Sequence, residues 1–504
     1  MFIRLQICLA LAVHVLLAAG SQLFQRDNAT ASAFVTAGNG IFQLNGKYFR
    51  FYGTNAYWAH MTTDYDLDMT FHDIATIGFK VVRTWAFNDV CDKPQSGPYF
   101  QILKGGKATI NEGADGLQRL DKLVAAADKY GIKLILTLTN NWNPERQMPS
   151  VAWNRREFSK ELPRGYLQND YGGIDAYVRN FHPGGTHDLF YTDRTIIEAF
   201  KNYVKAVVTR YSQHPAVMAW ELGNDLRCSS TLKASNNCNP QTITRWAAEI
   251  SKYIKELDHK HLVTAGDSGF YCLECPKLFA KTSTPKRPAL EGPSFDGSYG
   301  IDTEDLVSIP SIDFGSLQIS PEQIQLFPVL KKVKPATQAI GDGGKWIEVH
   351  SQTSILLKKP EALLSSGIVP KTNWKYFVPN DQSTFQPDGV PCHGVERFQV
   401  EYSITYWASG ARFAPLIFLP ALINFHPTFI AAINGNVDGV LQANWLQTGL
   451  TSHGTTNPIW DRRAKRQSAP LGNSPNNGYP SDPRYEGAAT GQTAEQFASS
   501  APPV

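Results

Sequence analysis

Apolar residues recur along this chain in two rhythms that take turns: short continuous runs, then longer stretches with apolar positions three and four apart. Tyr48–Tyr52 reads as a first strand and Leu67–Ile77 as the helical run after it. Lys80–Phe87 is the second strand, with Val81 and Val82 ahead of Arg83. Leu117, Leu120, Val124 and Ala127 keep helical spacing until Gly131 stops them. Lys133–Leu138 is a third strand leading into Trp142, and Ile196, Phe200, Val204, Val207 and Val208 form an amphipathic helix beyond a long loop. The fourth strand, Val217–Leu222, is an apolar run that ends in Asn224 and Asp225.

Ile243, Trp246, Ala247, Ile250 and Ile254 predict the next helix, and Leu262–Ala265 and Ile312–Ile319 the fifth and sixth strands. Trp346–Leu357 reads as a helix halted before Pro360, with Ala362–Leu364 a candidate seventh strand. Strands alternating with helices over this length predict an α/β fold, most simply a closed (β/α)8 barrel. An open doubly wound sheet is the alternative, but no glycine-rich phosphate loop follows the first strand.

After Gly367 the rhythm breaks down, so residues 366–445 are expected to form a long irregular insertion near strand seven. Phe413–Val437 carries no charge, yet Pro415, Pro420, Pro427, Asn424 and His426 make it a poor membrane span. An insertion, or an error in the gene reading, accounts for it better. The expected organisation is a signal peptide over 1–20, a linker over 21–33, a barrel over 34–468 and a loose tail over 469–504, rich in Pro, Gly, Ser and Ala.

Composition narrows this picture. The chain has 504 residues and a net charge of +3, so nothing draws it to nucleic acid, and the basic run Arg462–Arg466 reads as a solvated loop. Residues 1–20 carry an early Arg4, an apolar core through Leu17 and then Ala18-Ala19-Gly20, the pattern of a cleaved secretory signal. A secreted, extracellular protein favours disulfides. Cys8 leaves with the signal, and Cys91, Cys228, Cys238, Cys272, Cys275 and Cys392 remain. Cys228 with Cys238 suits a local bridge, and the lone Cys272-x-x-Cys275 reads as a structural bridge ahead of zinc or redox chemistry. Asn28-Ala-Thr30 is a glycan acceptor pattern. No spacing implies a metal or an organic cofactor.

Several stretches together resemble the fungal endo-β-1,4-mannanases of glycoside hydrolase family 5. They are Gly53-Thr-Asn-Ala-Tyr-Trp58, Val82-Arg-Thr-Trp-Ala-Phe-Asn-Asp89, Trp220-Glu-Leu-Gly-Asn224, Arg227-Cys228, Ile312-Asp-Phe-Gly315 and Trp346-Ile-Glu-x-His350 with Lys359-Pro360. The resemblance runs from Phe34 to Pro360, with thinner echoes at Trp445–Trp460 and Ser474–Tyr479. It implies an eight-fold barrel, β-mannan as substrate, no cofactor, a single chain, and configuration-retaining hydrolysis by two carboxyl groups about 5–5.5 Å apart.

In the family both carboxyls are glutamates, and here the sequence departs from the pattern. Asn224 is kept, but the acid/base position is Asp225, one methylene shorter. Gln318 and Ser320 stand where the family has His and Tyr on strand six. Register from Pro360 puts the nucleophile at Ser365, a weak nucleophile without an adjacent base. A competing placement is Glu401, in Val400-Glu-Tyr-Ser-Ile-Thr405, which alone could support ordinary catalysis. Arg83 resembles the arginine that orients the nucleophile, its other reading being a structural ion pair. Arg227 resembles the arginine on the leaving-group side, and Trp58, Trp142 and Trp460 resemble aromatic platforms for sugar rings. The expectation is a glycosidase of weak turnover; the alternative is a mannan-binding protein that has lost the reaction.

Overall fold

Successive side chains of a strand point to opposite faces, so a strand buried on both sides must serve two cores. The computed structural model describes residues 33–143, 168–280, 292–319, 333–334, 336–366, 386–387 and 437–442. Eight of its strands form one parallel sheet: β1 (Phe51–Asn55), β2 (Val81–Trp85), β3 (Lys133–Thr137), β4 (Val217–Glu221), β5 (Leu262–Thr264), β6 (Gly315–Ile319), β7 (Glu361–Ser366) and β8 (Val437–Gln442). Their order is β5-β4-β3-β2-β1-β8-β7-β6. The remaining seam, between β5 and β6, is spanned by the amide of Asp313 donating to Val263 O at 2.8 Å and that of Gln318 donating to Ser268 O at 3.2 Å. Thr264 Oγ1 adds a bond to Phe314 O at 3.1 Å. This is the (β/α)8 barrel that the sequence predicts.

The alternation is legible in the two apolar clusters. Val82, Leu134, Leu136, Trp220, Val263 and Leu363 pack outward against the helices. Phe51, Val81, Ile135, Ala219, Ala362, Leu364 and Leu441 share a second cluster inside the barrel. At Gly439 an added Cβ would lie 2.1 Å from the Phe51 ring, so a residue without a side chain is required where that ring fills the interior. A meander of Val35–Gly38, Ile41–Leu44 and Lys47–Tyr48 packs onto the inner cluster, with the Phe42 ring 5.1 Å from that of Phe314.

The outer layer contains α1 (Asp64–Thr76), α2 (Leu117–Lys129), α3 (Arg194–Tyr211), α4 (Pro240–Leu257), the short α5 (Thr303–Val307) and α6 (Ala336–Leu357). Thr63, Asp193 and Asn239 cap α1, α3 and α4 by accepting from amides in the first turn.

Three expectations need correction. The strand expected at Tyr48–Tyr52 is split: Lys47–Tyr48 belongs to the meander, and β1 begins at Phe51. The helix expected from Trp346 begins at Ala336. The region expected to be irregular contains β8, which pairs with β7 and β1 and fills the eighth place in the sheet. Cys228–Cys238 and Cys272–Cys275 are both bridged, and Cys91 is an exposed free thiol. The expectations for the signal, the linker before Ala33, Asn28, Cys392, the basic run and the tail lie outside the described residues.

Candidate active site

Along β1 to β4 the inward positions change character toward the carboxyl end. Phe51, Val81, Ile135 and Ala219 give way to Asn55, Arg83, Thr137 and Glu221. An apolar floor thus carries a polar layer where the loops begin, the end of such a barrel that holds its chemistry.

Arg83 and Glu221 are the centre of that layer. Arg83 Nε donates to Glu221 Oε2 at 2.6 Å and Arg83 Nη2 to Oε1 at 2.5 Å. Thr137 Oγ1 donates to Oε2 at 2.9 Å. The pair is 2% and 0% exposed, and a two-pronged contact of this kind fixes the plane of the guanidinium. The rest of the fork is used as well: Nη1 donates to Asn55 Oδ1 at 3.0 Å and Nη2 to Asn224 Oδ1 at 2.8 Å. Asn224 is held on two further sides, accepting from Gln318 Nε2 at 3.1 Å and donating to Asn140 Oδ1 at 2.8 Å. The structural-ion-pair reading of Arg83 is therefore present here, with Glu221 as partner.

Asp225 follows directly. Its φ of 55° is left-handed, a region that Asp tolerates better than most residues, and its amide donates to Gly266 O at 2.8 Å. Its carboxylate accepts from Trp142 Nε1 at 2.6 Å, from Arg227 Nε at 3.0 Å and from the Ser268 hydroxyl. Arg227 is enclosed by the rings of Trp142, Phe270 and Tyr299, at 5.2, 5.0 and 4.8 Å from its Cζ. Such stacking suits a guanidinium, which is weakly hydrated and planar. Behind it, Asn141 Oδ1 accepts the Arg227 amide at 3.2 Å and faces His187 Nε2 at 2.9 Å, while His187 Nδ1 meets Asp175 at 2.6 Å.

Strand seven reaches the same layer. A register shift in β6–β7 sets Ser365 opposite Gln318, and Ser365 is half-buried. The preceding carbonyl, Leu364 O, accepts from Asn55 Nδ2 at 2.8 Å. The structure thus gathers Arg83, Asn224, Asp225, Arg227, Trp142, Gln318 and Ser365 around one end of the barrel. Ser320, Glu401 and Trp460 lie outside the described residues. Trp58 and Trp142 are 1% and 2% exposed, so neither ring lies open to solvent in this conformation.

Reading the sequence missed Glu221, Asn55, Asn140 and Ser268 as parts of the site. A signal existed for Glu221: it stands two positions after the inward Ala219, and the same period places Arg83 after Val81. Nearby, burial pushes the Asp267 carboxyl up to about 6, although hydrogen bonds from the Ser316 hydroxyl and the Gly269 amide pull the other way.

Comparison with known proteins places this arrangement. Residues 32–287 match the family described as GH family 5 beta-mannosidase-like. The mannan endo-1,4-beta-mannosidase A of Aspergillus aculeatus is 35% identical over 349 residues, 68% of this chain and 75% of that protein. The enzyme of the same name from Hypocrea jecorina is 36% identical over 332 residues, 66% of this chain and 62% of that protein. Among solved structures, the endo-1,4-beta-mannanase from Rhizomucor miehei superposes with a TM-score of 0.62 at 25% identity, covering 93% of this chain and 100% of that one. The hyperthermostable endo-1,4-beta-D-mannanase from Thermotoga petrophila gives 0.58 at 26% identity, covering 89% and 99%. With its parallel barrel and a polar layer at the carboxyl ends of the strands, the chain belongs to glycoside hydrolase family 5, within its fungal mannanase branch.

Proposed function

We propose that this protein is a secreted mannan endo-1,4-β-mannosidase of impaired turnover, which binds β-1,4-mannan at the carboxyl end of the barrel and cleaves it slowly with retention of configuration. Export is supported by the apolar run ahead of Ala18-Ala19-Gly20 and by the two disulfides among the described residues. In this reading Asp225 protonates the leaving glycosidic oxygen, Glu401 attacks the sugar carbon, and Asp225 then takes a proton from the water that releases the sugar. Arg227 and Trp142 orient the acid, and Asn224 faces the substrate. The protein acts as a single chain.

The observation that carries the reading is the state of Asp225. A carboxyl group stands directly after Asn224, as the reaction requires, but it is one methylene short and its oxygens accept from Trp142, Arg227 and Ser268. A methylene shifts the proton by roughly 1–1.5 Å, and a displacement of about 1 Å costs on the order of 10²-fold in rate. A second reading, mannan binding without hydrolysis, is favoured by one further feature: in family register the nucleophile position is Ser365, which has no charge to offer.

The test sets reducing-sugar release from galactomannan beside a binding isotherm for β-1,4-mannohexaose. Slow release abolished by Glu401→Gln supports the slow enzyme. Binding without release supports the second reading, and absence of binding removes both.

A further inference from the structure

We propose that Glu221 is a positioning residue that sets the orientation of the Asn224 amide through the Arg83 guanidinium, an inference that rests on the mannan-binding reading of this site. Glu221 sits on β4 and reaches past β3 to Arg83 on β2, with Thr137 of β3 donating to the same carboxylate. Removing this charge leaves a guanidinium that is 2% exposed without its counter-ion, which forces it to turn or to draw in water.

The consequence for Asn224 follows from the geometry of the fork. Arg83 Nη2 gives one hydrogen to Glu221 and one to Asn224 Oδ1, so the carboxylate that fixes the guanidinium plane also fixes where the second hydrogen points. Asn224 Oδ1 then faces Arg83 and Gln318, while its Nδ2 faces Asn140. One amide edge is turned toward donors and the other toward an acceptor, and a flip would reverse all three contacts. The frame extends to β1 and β7 through Asn55, which accepts from Arg83 Nη1 and donates to Leu364 O, just before Ser365.

This arrangement also explains how a sugar-facing frame holds its shape without a nucleophilic carboxylate at position 365. Arg83 has a resident anion of its own, so its position does not depend on one arriving from β7. The same packing makes Glu221 intolerant of crowding: a Cβ on Gly266 would lie 2.3 Å from its Oε1.

The experiment compares the full-length protein with Glu221→Gln and with the double variant Arg83→Met/Glu221→Met. Affinity for β-1,4-mannohexaose is measured calorimetrically well below the melting temperature, with the stoichiometry reporting the folded fraction. Glu221→Gln is expected to weaken binding tenfold or more at unchanged stoichiometry and to shift the Asn224 side-chain amide resonances, identified by their loss in Asn224→Asp. The apolar double variant is expected to regain thermal stability, as replaced buried ion pairs often do, without regaining affinity. If wild type binds and Glu221→Gln binds equally well with unmoved Asn224 resonances, the positioning role is overturned while the mannan reading stands. If wild type does not bind the oligosaccharide, that reading falls and this one with it.

Discussion

Trp142 Nε1 donates to Asp225 Oδ2 at 2.6 Å, joining the end of β3 to the end of β4 at the carboxyl mouth of the barrel. Both residues are buried, so the bond forms away from water, where a missing partner is costly. Trp142→Phe keeps a ring near Arg227 but removes this donor. A buried acceptor left short costs about 1–3 kcal/mol, and the variant should unfold at correspondingly lower urea. An unchanged midpoint would mean that Arg227 and Ser268 hold Asp225 without help from the indole.

In the proposed mechanism Asp225 is the acid and falls one methylene short of the leaving oxygen. Asp225→Glu restores the missing methylene and should raise reducing-sugar release from galactomannan by on the order of 10-fold to 10²-fold. The left-handed backbone at this position, with φ of 55°, sets a cost against the gain, because Glu fits that region less well than Asp. The variant should therefore turn over faster and melt lower. A rate equal to that of the parent would place the deficit at the nucleophile.

Both disulfides border the enclosure of Arg227. A Cβ on Gly300 would lie 2.3 Å from Cys228 Sγ, and one on Gly297 would lie 2.5 Å from Cys272 Sγ, so the two bridges bear on the segment that carries Tyr299. Tyr299 in turn stacks on Phe270 at 4.1 Å. Reduction should lower the melting temperature, with bridges of this kind typically contributing about 2–4 kcal/mol, and weaken β-1,4-mannohexaose binding several-fold. Titration with dithiothreitol under calorimetry checks this, and full affinity in the reduced protein would separate the bridges from the site.

Stability should decline from mildly acidic to neutral pH. Burial pushes the carboxyls of Asp89 and Asp438 up to about 7. The unfolded chain therefore releases these protons first, between about pH 4 and 7, and the folded state holds more protons throughout that window. Its stability falls as pH rises through it. Below about pH 4 an opposite loss sets in, because hydrogen bonds from Arg194 and Lys201 hold Glu249 down at about 2, and stability carried by a lowered acid disappears as it protonates. Asp89 accepts from Gln101 Nε2 at 2.7 Å and from the Gly173 amide at 2.9 Å. Asp89→Asn should flatten the slope of melting temperature between pH 4.5 and 8. A slope equal to that of the parent would assign the pH dependence to other groups.

The fold was legible because its signal is local and repeated. Val81 and Val82, Leu134 to Leu136, and Val217 to Trp220 are apolar on both strand faces, which only a sheet covered on both sides can satisfy. The split at Phe49–Arg50 between meander and first barrel strand was not legible, because Tyr48–Tyr52 has the same apolar character on both sides of it. Strand β8 hid for a related reason: Val437–Gln442 follows a long uncharged stretch and has no helical rhythm beside it to mark its edge.

The order of residues alone was enough to predict the alternating elements and the barrel they imply, and to suggest the local Cys228–Cys238 bridge. Those follow from periodicity, spacing and residue identity, which are properties of neighbours along the chain. That Glu221, 138 residues further on, holds Arg83, and that Trp142, Arg227 and Ser268 hold Asp225, is visible only in the folded chain. A charge or hydrogen-bond partner is chosen by distance in space, and closing the barrel brings together strand ends that the chain keeps far apart.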